Sequence, residues 1–166
     1  MTITHQLHKI IHLDDQTFVT ELYRRLLERE PDEGGYSNHV RMLQKGTPRH
    51  RLLISFLQSD EAVGLYSQST PSIRSEASPT VCSSFRSVFA KKPELFVQCL
   101  YQELLCREPD PASYRGYVED LRKGADKANV YIRFINSSEF EGLVRLDKYA
   151  FARRILDQLI HSFYTN

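Results

Sequence analysis

Residues 18–62 read FVTELYRRLLEREPDEGGYSNHVRMLQKGTPRHRLLISFLQSDEA, and this stretch decides the fold because a second copy of it follows. The second copy, residues 96–140, reads FVQCLYQELLCREPDPASYRGYVEDLRKGADKANVYIRFINSSEF and aligns without a gap at an offset of 78 residues. The blocks Phe-Val, Leu-Tyr, Leu-Leu, Arg-Glu-Pro-Asp and Lys-Gly are identical in the two copies. Agreement over such a length indicates that one structural unit has been duplicated.

Apolar residues within each copy recur at helical spacing and do not alternate as they would in a strand. The first stripe consists of Phe18, Val19, Leu22, Tyr23, Leu26 and Leu27, and its repeat consists of Phe96, Val97, Leu100, Tyr101, Leu104 and Leu105. We therefore predict an all-α chain in which each copy forms three helices and a short fourth one.

Turn residues set the expected limits of these helices. The first helix of each copy should stop near Glu30 or Glu108, because a proline follows and the residue before proline avoids the helical conformation. Gly46 and Gly124 should end the second helix, since glycine accepts the left-handed conformation found there. Side-chain N-caps are predicted at Asp14 or Asp15, Asp32, Ser59, Asp110 and Ser137.

The repeats predict the division of the chain. Residues 1–66 form the first helical repeat with an N-terminal helix, and residues 81–166 form the second repeat with a C-terminal amphipathic helix over 143–163. Residues 67–80, SQSTPSIRSEASPT, are rich in serine and proline and poor in apolar side chains, which predicts a flexible linker between tandem repeats.

Composition excludes several classes of function. The chain carries 22 Lys and Arg against 21 Asp and Glu, and proteins that grip nucleic acid usually show a basic excess. No apolar stretch approaches the length of a membrane span, and the N-terminus does not resemble a secretory signal. We therefore expect no nucleic-acid partner, no membrane span and a cytoplasmic location.

The cysteines lie where the first copy has charged residues. Glu21 and Glu28 in the first copy correspond to Cys99 and Cys106 in the second. These positions are seven residues apart and share one face of a helix. We predict that the second repeat buries this face, under the C-terminal helix, and that the thiols are free.

The duplicated Arg-Glu-Pro-Asp turn is the strongest local signal. One interpretation is purely structural. The proline ends one helix, the aspartate caps the next, and the arginine bonds to that aspartate or to carbonyl groups at the helix end. Its functional interpretation is a ligand site, because an arginine fork beside an aromatic ring suits a sugar or an acidic group. That site would consist of Arg29, Asp32 and Tyr36, with a second copy at Arg107, Asp110 and Tyr114.

Signals for metal or catalysis are weak. His5, His8 and His12 share a helix face, and three imidazoles could hold zinc, but a polar face of an N-terminal helix is the favoured interpretation. The turn lacks the alternating oxygen ligands of a calcium loop. Nucleophile elbow, P-loop, dinucleotide and zinc-protease motifs do not occur in the sequence. We predict no catalytic residues, no metal and no cofactor.

The pattern L-Y-x-x-L-L-x-R-E-P-D, followed by Tyr and later by Ser-x-Glu-Phe, resembles the bacterial helical family named domain of unknown function 4214. That family is similar to phycobilisome linker domains. The family usually has glycine before the arginine, where this chain has Glu28 or Cys106, and a Tyr-Trp pair of which only the tyrosine remains. The residues that carry the resemblance are Leu22, Tyr23, Leu26, Leu27, Arg29, Glu30, Pro31, Asp32, Tyr36, Leu100, Tyr101, Leu104, Leu105, Arg107, Glu108, Pro109, Asp110, Tyr114, Ser137, Glu139 and Phe140.

The resemblance implies an accessory module and brings no catalytic residues. Such domains occur beside glycosyltransferases of surface-polysaccharide synthesis or in large secreted proteins. The first hypothesis is a protein-interaction or scaffold module, with a glycosyltransferase as one candidate partner; an exposed apolar strip would favour it. The second is a carbohydrate- or anion-binding protein using the Arg-Asp-Tyr sets, and the third is an enzyme with an unrecognised site. The oligomeric state stays open.

Overall fold

The computed structural model describes residues 1–68 and 80–164, with side chains as far as 161. Most of the predicted linker, residues 69–79, lies outside the described part. Within the described ranges the chain forms helices and no strand, and no helix is long and apolar enough to cross a membrane. The helices are α1 Ile3–Ile11, α2 Asp15–Leu26, α3 Glu33–Gln44, α4 Arg49–Leu57, α5 Asp60–Ser67, α6 Val81–Phe89, α7 Pro93–Leu104, α8 Pro111–Arg122, α9 Lys127–Ile135, α10 Ser138–Arg145 and α11 Lys148–Tyr164.

The all-α prediction is confirmed, and the repeat is longer than the sequence identity indicates. Each of the helices α1 to α5 has a counterpart among α6 to α10 at the same offset of 78 residues. The first helix of each set shares only an apolar pattern, ITHQLHKII against VCSSFRSVF, and a threonine N-cap. The structural unit therefore has five helices, and α11 is an addition to the second one.

The side-chain caps form at the expected residues. Asp14 accepts a hydrogen bond from the amide of Thr17 at 3.0 Å. The remaining predicted caps are Asp32, Ser59, Asp110 and Ser137, and each accepts from an amide three residues later at 2.8 to 3.2 Å. Gly46 and Gly124 have φ values of 95° and 101° just beyond α3 and α8, as predicted for glycine at a helix end.

Two predicted helix limits are wrong. The helices α2 and α7 end at Leu26 and Leu104, before the predicted positions next to the prolines. Glu28 and Cys106 take a left-handed conformation, with φ of 53° in both cases, and this conformation stops the helix before proline can. The predicted C-terminal helix over 143–163 is divided between α10 and α11.

The first helix of each repeat packs against the other repeat. Helix α1 contacts α7 and α10, whereas α6 contacts α2 and α5, and α1 and α6 also contact each other. The Thr4 hydroxyl donates to the Leu104 carbonyl oxygen at 2.7 Å, and the Tyr131 hydroxyl donates to that of Leu57 at 2.9 Å. Helix α1 also contacts α2 and α4 of its own repeat, and α6 also contacts α7, so the two first helices bridge the repeats and interlock them.

Aromatic side chains join the two repeats into one core. The rings of Tyr66 and Phe85 are stacked with centroids 4.6 Å apart, and Tyr131 meets both rings edge-on. All three side chains are fully buried. Burial raises the pKa of both tyrosine hydroxyls well above its ordinary value. Each hydroxyl donates to a backbone carbonyl oxygen, which offsets the cost of removing it from water.

Helix α1 takes the place that was predicted for the C-terminal helix over the cysteine face. The Thr2 hydroxyl lies 3.6 Å from the Cys106 sulfur, and the Ile3 amide donates to the Glu103 carboxylate at 2.8 Å. Cys99 and Cys106 are half-buried and free, as predicted, while the covering element is wrong. The reason is that α1 bridges the two repeats, which brings its N-terminal end to α7.

Candidate functional site

The arginines of the Arg-Glu-Pro-Asp turns bind glutamates within their own repeats. Arg29 donates from Nε and Nη2 to the two carboxylate oxygens of Glu61, at 2.6 and 3.1 Å. Arg107 makes the same pair of bonds with Glu139, at 2.6 and 2.9 Å. These bonds raise the pKa of both guanidinium groups. The turn is thereby fastened to α5 in the first repeat and to α10 in the second.

Each of these arginines also stacks on a tyrosine of the preceding helix. The Arg29 guanidinium carbon lies 4.7 Å from the centre of the Tyr23 ring, and that of Arg107 lies 4.9 Å from Tyr101. Such cation–π contacts add to the ion pairs. In the first repeat a Cβ at Gly35 would overlap the Tyr23 hydroxyl, so the absence of a side chain there gives that hydroxyl its space.

The aspartates of the turns act as helix caps. The Asp32 carboxylate accepts from the Gly35 amide at 2.8 Å, and the Asp110 carboxylate accepts from the Ser113 amide at 2.9 Å. These backbone hydrogen bonds lower the pKa of both carboxyl groups. Arg29 also approaches Asp32, with Nη1 3.4 Å from Oδ1.

The structure places Tyr36 and Tyr114 away from the arginine stack. Both are half-buried against the core, and the Tyr114 hydroxyl donates to the Glu94 carbonyl oxygen at 3.4 Å. The aromatic rings that contact the arginines are those of Tyr23 and Tyr101, which our sequence reasoning assigned to the core. Ligand binding by the Arg-Asp-Tyr sets stays a prediction.

The glutamate partners of the arginines were not predicted. Glu61 and Glu139 lie 32 residues beyond Arg29 and Arg107, which is too distant for a local rule of helix spacing. One signal was present, because the glutamate recurs in both copies within the sequence Ser-x-Glu. The comparison of the two copies points to the glutamate as a recurring residue, but only the fold shows that it pairs with the arginine.

A second feature lies where α1 meets α11. The His8 ring stacks on Phe151 with centroids 4.0 Å apart, and His5 meets the same ring edge-on. His8 Nε2 lies 2.8 Å from the Leu146 carbonyl oxygen, which can only accept, so Nε2 carries the proton. Burial lowers the pKa of His5, His8 and His12. The histidine face of α1 therefore packs against a helix instead of facing water.

The zinc interpretation of these histidines can be compared with their geometry. The Nε2 atoms of His8 and His12 lie 3.4 Å apart, and that of His8 already bonds to a carbonyl oxygen. In the part of the chain that is described, no group of three or more His, Cys, Asp or Glu residues is arranged to hold a metal ion.

Helices α1 and α11 enclose an open groove of about 340 Å³. Phe151, Ile155 and Leu156 form an apolar wall, while Lys9 and Lys148 bring ammonium groups to it. Among the described residues no Asp or Glu lines this groove, which we call the α1–α11 groove.

An exposed apolar strip continues from the groove along α11. Tyr149 is 89% exposed, Leu156 is 56% exposed and Ile160 is 46% exposed. Their spacing of seven and four residues places them on one side of the helix. Leu156 belongs to both features, so the groove and this strip, which we call the α11 strip, form one continuous surface.

A family model described as Domain of unknown function (DUF4214) matches residues 7–66 and 77–144, which is well over half of the chain. The chain belongs to this family. The two matched segments correspond to the two repeats, so the tandem arrangement expected from the resemblance is confirmed. Comparison with curated proteins and with solved structures found no significant match for the chain.

The structure shows the backbone conformation and the contacts of the residue before the arginine, where this chain departs from the DUF4214 pattern. Glu28 and Cys106 occupy the position where the pattern has glycine, and both have a φ of 53°. Glycine takes this conformation without the steric cost that a Cβ brings. In this DUF4214 protein both residues use their side chains between repeats, since Glu28 pairs with Arg86 at 2.5 Å and Cys106 contacts Thr2.

Proposed function

We propose that the chain is a non-catalytic protein-interaction or scaffold module that serves a surface-polysaccharide assembly in the cytoplasm. The family resemblance suggests a glycosyltransferase as the class of partner. The three free thiols support a reducing compartment, because disulfides are rare there.

The observation that carries the proposal is the α11 strip. Tyr149, Leu156 and Ile160 expose large apolar side chains on one side of a single helix. Isolated exposed apolar residues are ordinary on a protein surface, whereas several on one side of a helix, here with the exposed Arg153 among them, are typical of a binding site. The strip also adjoins a groove, which adds a concave part to the contact surface.

The bonding of the arginines favours this function over carbohydrate or anion binding. The forks of Arg29 and Arg107 already hold Glu61 and Glu139. An anionic ligand at either turn would have to displace an internal carboxylate. A scaffold function makes no such demand, because both turns then act in folding alone.

A pull-down from native lysate tests the proposal, with mass spectrometry of the retained proteins. The tagged wild-type chain should retain a specific protein, and Leu156→Glu should lose it because a charge is then buried at the contact. Leu95→Glu is the matched control, since Leu95 is 51% exposed on α7, away from the α11 strip, and should retain the partner. Equal retention by both variants, or no specific partner for the wild type, would contradict the proposal.

A further inference from the structure

The charge around the α1–α11 groove is one-sided. Lys9 and Lys148 are exposed at the groove, and neither has a carboxylate within ion-pair distance among the described residues. The closest acidic residue in sequence, Asp147, accepts hydrogen bonds from the amides of Tyr149 and Ala150 as the cap of α11. The net charge of the whole chain is only +1, so the excess of positive charge at the groove is local and does not reflect a generally basic protein.

The histidines at the groove respond to the same field. After burial, the next cause that lowers the pKa of His5 is the charge of Lys9. For His12 the next causes are the charges of Lys148 and Arg49. The cations therefore act into the groove as well as outward to solvent.

The shape of the surface fits a helix. Tyr149 and Ile160 are eleven residues apart on α11, which gives the α11 strip a length of about 16 Å, or roughly three helical turns. The α1–α11 groove runs beside it and receives apolar side chains between two helices. A helix that places apolar residues three, four and seven positions apart is the usual occupant of such a surface.

We propose that the α1–α11 groove and the α11 strip bind an amphipathic helix of the partner protein whose polar face is acidic. This inference rests on the proposed function, because it specifies the segment of the partner that the scaffold holds. The apolar face of that helix covers Leu156 and Ile160, and its carboxylates lie against Lys9 and Lys148. Complementary charge of this kind fixes orientation and speeds association.

An anionic membrane surface offers the same chemistry, but the shape favours a helix. Helix α11 turns Phe151 onto His8, and the surface beside that contact is concave. A flat bilayer contacts apolar side chains that project from the protein, as in helices that lie in the interface plane. A helix of another protein can enter a concave groove and contact its walls.

The test reverses the two charges in the full chain. Lys9→Glu with Lys148→Glu should weaken retention of the partner on the order of tenfold, because like charges then face each other. The matched control is Arg115→Glu with Arg133→Glu, which reverses two exposed cations that do not line the groove. Circular dichroism melts of both double variants show whether the fold is intact, and the milder Lys9→Gln with Lys148→Gln gives a second reading.

A carbodiimide crosslinker, which joins lysine amines to carboxylates at contact distance, supplies the direct readout. Crosslinks from Lys9 and Lys148 to Asp or Glu within one helical segment of the partner would support the proposal. A partner that is retained equally by all variants, without such crosslinks, would overturn this inference and leave the proposed function standing. Absence of any partner overturns both. A different outcome is that the wild-type protein floats with phosphatidylglycerol vesicles and forms no such crosslinks. If Lys9→Glu with Lys148→Glu then abolishes the flotation, the surface binds a membrane, and the proposal of a partner helix is overturned.

Discussion

Glu28 and Cys106 have the same backbone conformation and different surroundings. Both lie just after the second helix of a repeat, with a φ of 53°. The Glu28 carboxylate pairs with Arg86 and accepts from the Thr80 hydroxyl at 3.1 Å, so the first repeat uses this residue to hold α6. Cys106 makes only a weak contact with Thr2. The cost of the left-handed conformation is therefore compensated in the first repeat more than in the second.

Glycine substitutions at these two positions should have opposite effects. Cys106→Gly should leave the free energy of unfolding unchanged or raise it by up to about 1 kcal/mol, because glycine relieves the left-handed strain. Glu28→Gly should lower it by roughly 1–2 kcal/mol, since Arg86 then loses its carboxylate in a partly buried site. Urea unfolding of both variants measures the difference, and shifts of the same sign would contradict it.

Local rules explain why the caps were predicted and the ion pairs were not. Asp32 and Ser59 cap helices through amides three residues away, and the sequence alone identifies such positions. Arg29 depends on Glu61, on another helix, and no spacing rule joins them. The stacking of Arg29 on Tyr23 was not predicted for a related reason, because helical periodicity assigns Tyr23 to the core and does not show that the arginine lies over the face of its ring.

At the level of elements, the contact between α1 and α11 contains three histidines whose pKa is shifted by the fold. The pKa values of His5, His8 and His12 are lowered, mainly by burial, so the folded protein favours the neutral rings. The charged groups that face them are Lys9, Arg49, Lys148 and the amino group of Met1 as cations and Asp147 as an anion. Protonation would therefore add positive charge to a site that already has an excess of it.

Acidification should weaken this contact. The stabilisation is fully present above pH 6.5, the ordinary pKa of histidine, and it is lost as the pH falls through the lowered values. The free energy of unfolding should decrease between pH 7.5 and 5.5 by more in the wild type than in a His8→Gln, His12→Gln variant. His39 and His50, whose pKa values are also lowered, are present in both proteins and form the common background.

Urea unfolding at the two pH values measures the comparison, and identical pH slopes for the wild type and the variant would contradict it. Glutamine keeps an amide donor in place of His8 Nε2, which bonds to the Leu146 carbonyl oxygen. The variant therefore removes the titration of His8 and His12 while retaining one hydrogen bond, and His5 belongs to the common background.

The sequence predicts the N-terminal helix but conceals its equivalence to α6. Ile3–Ile11 and Val81–Phe89 have no residue type in common at equivalent positions, so the search for identity stopped short of them. What they share is a threonine cap and apolar residues at the same positions, which occurs in many unrelated helices. Their equivalence follows from the fold, because each of the two helices contacts the opposite repeat in the same way.

At the level of the whole molecule, the contact of α1 with the second repeat predicts a specific disulfide. The Thr2 hydroxyl lies 3.6 Å from the Cys106 sulfur, so Thr2→Cys should form a bond with the native cysteine on mild oxidation. The product should run as a compact monomer on a non-reducing gel. Closing a loop of this length should stabilise the chain by up to about 4 kcal/mol.

The same substitution in a Cys106→Ser background is the control and should give no such product. Disulfide-linked dimers in place of the monomer would show that α1 packs on another chain and would contradict the interlocked arrangement. The absence of any disulfide would place α1 elsewhere.

The duplicated sequence predicts the fold class, whereas it does not predict how the two repeats pack against each other. Identity between residues 18–62 and 96–140 predicts what each copy forms and is silent on how the copies meet. Their meeting depends on Tyr66, Phe85 and Tyr131, whose contacts join distant parts of the sequence. Packing of this kind arises from the whole core and from no single motif.

The interlocked first helices have a consequence for synthesis on the ribosome. Thr4 finds its hydrogen-bond partner at Leu104, 100 residues later, so α1 cannot complete its docking until most of the second repeat has been made. During that interval α1 can contact α2 and α4 of its own repeat, while the side that later meets α7 and α10 has no native cover, and contacts of such long range close slowly. We therefore expect α1 to finish docking late in synthesis, with part of its apolar surface open to a chaperone until then.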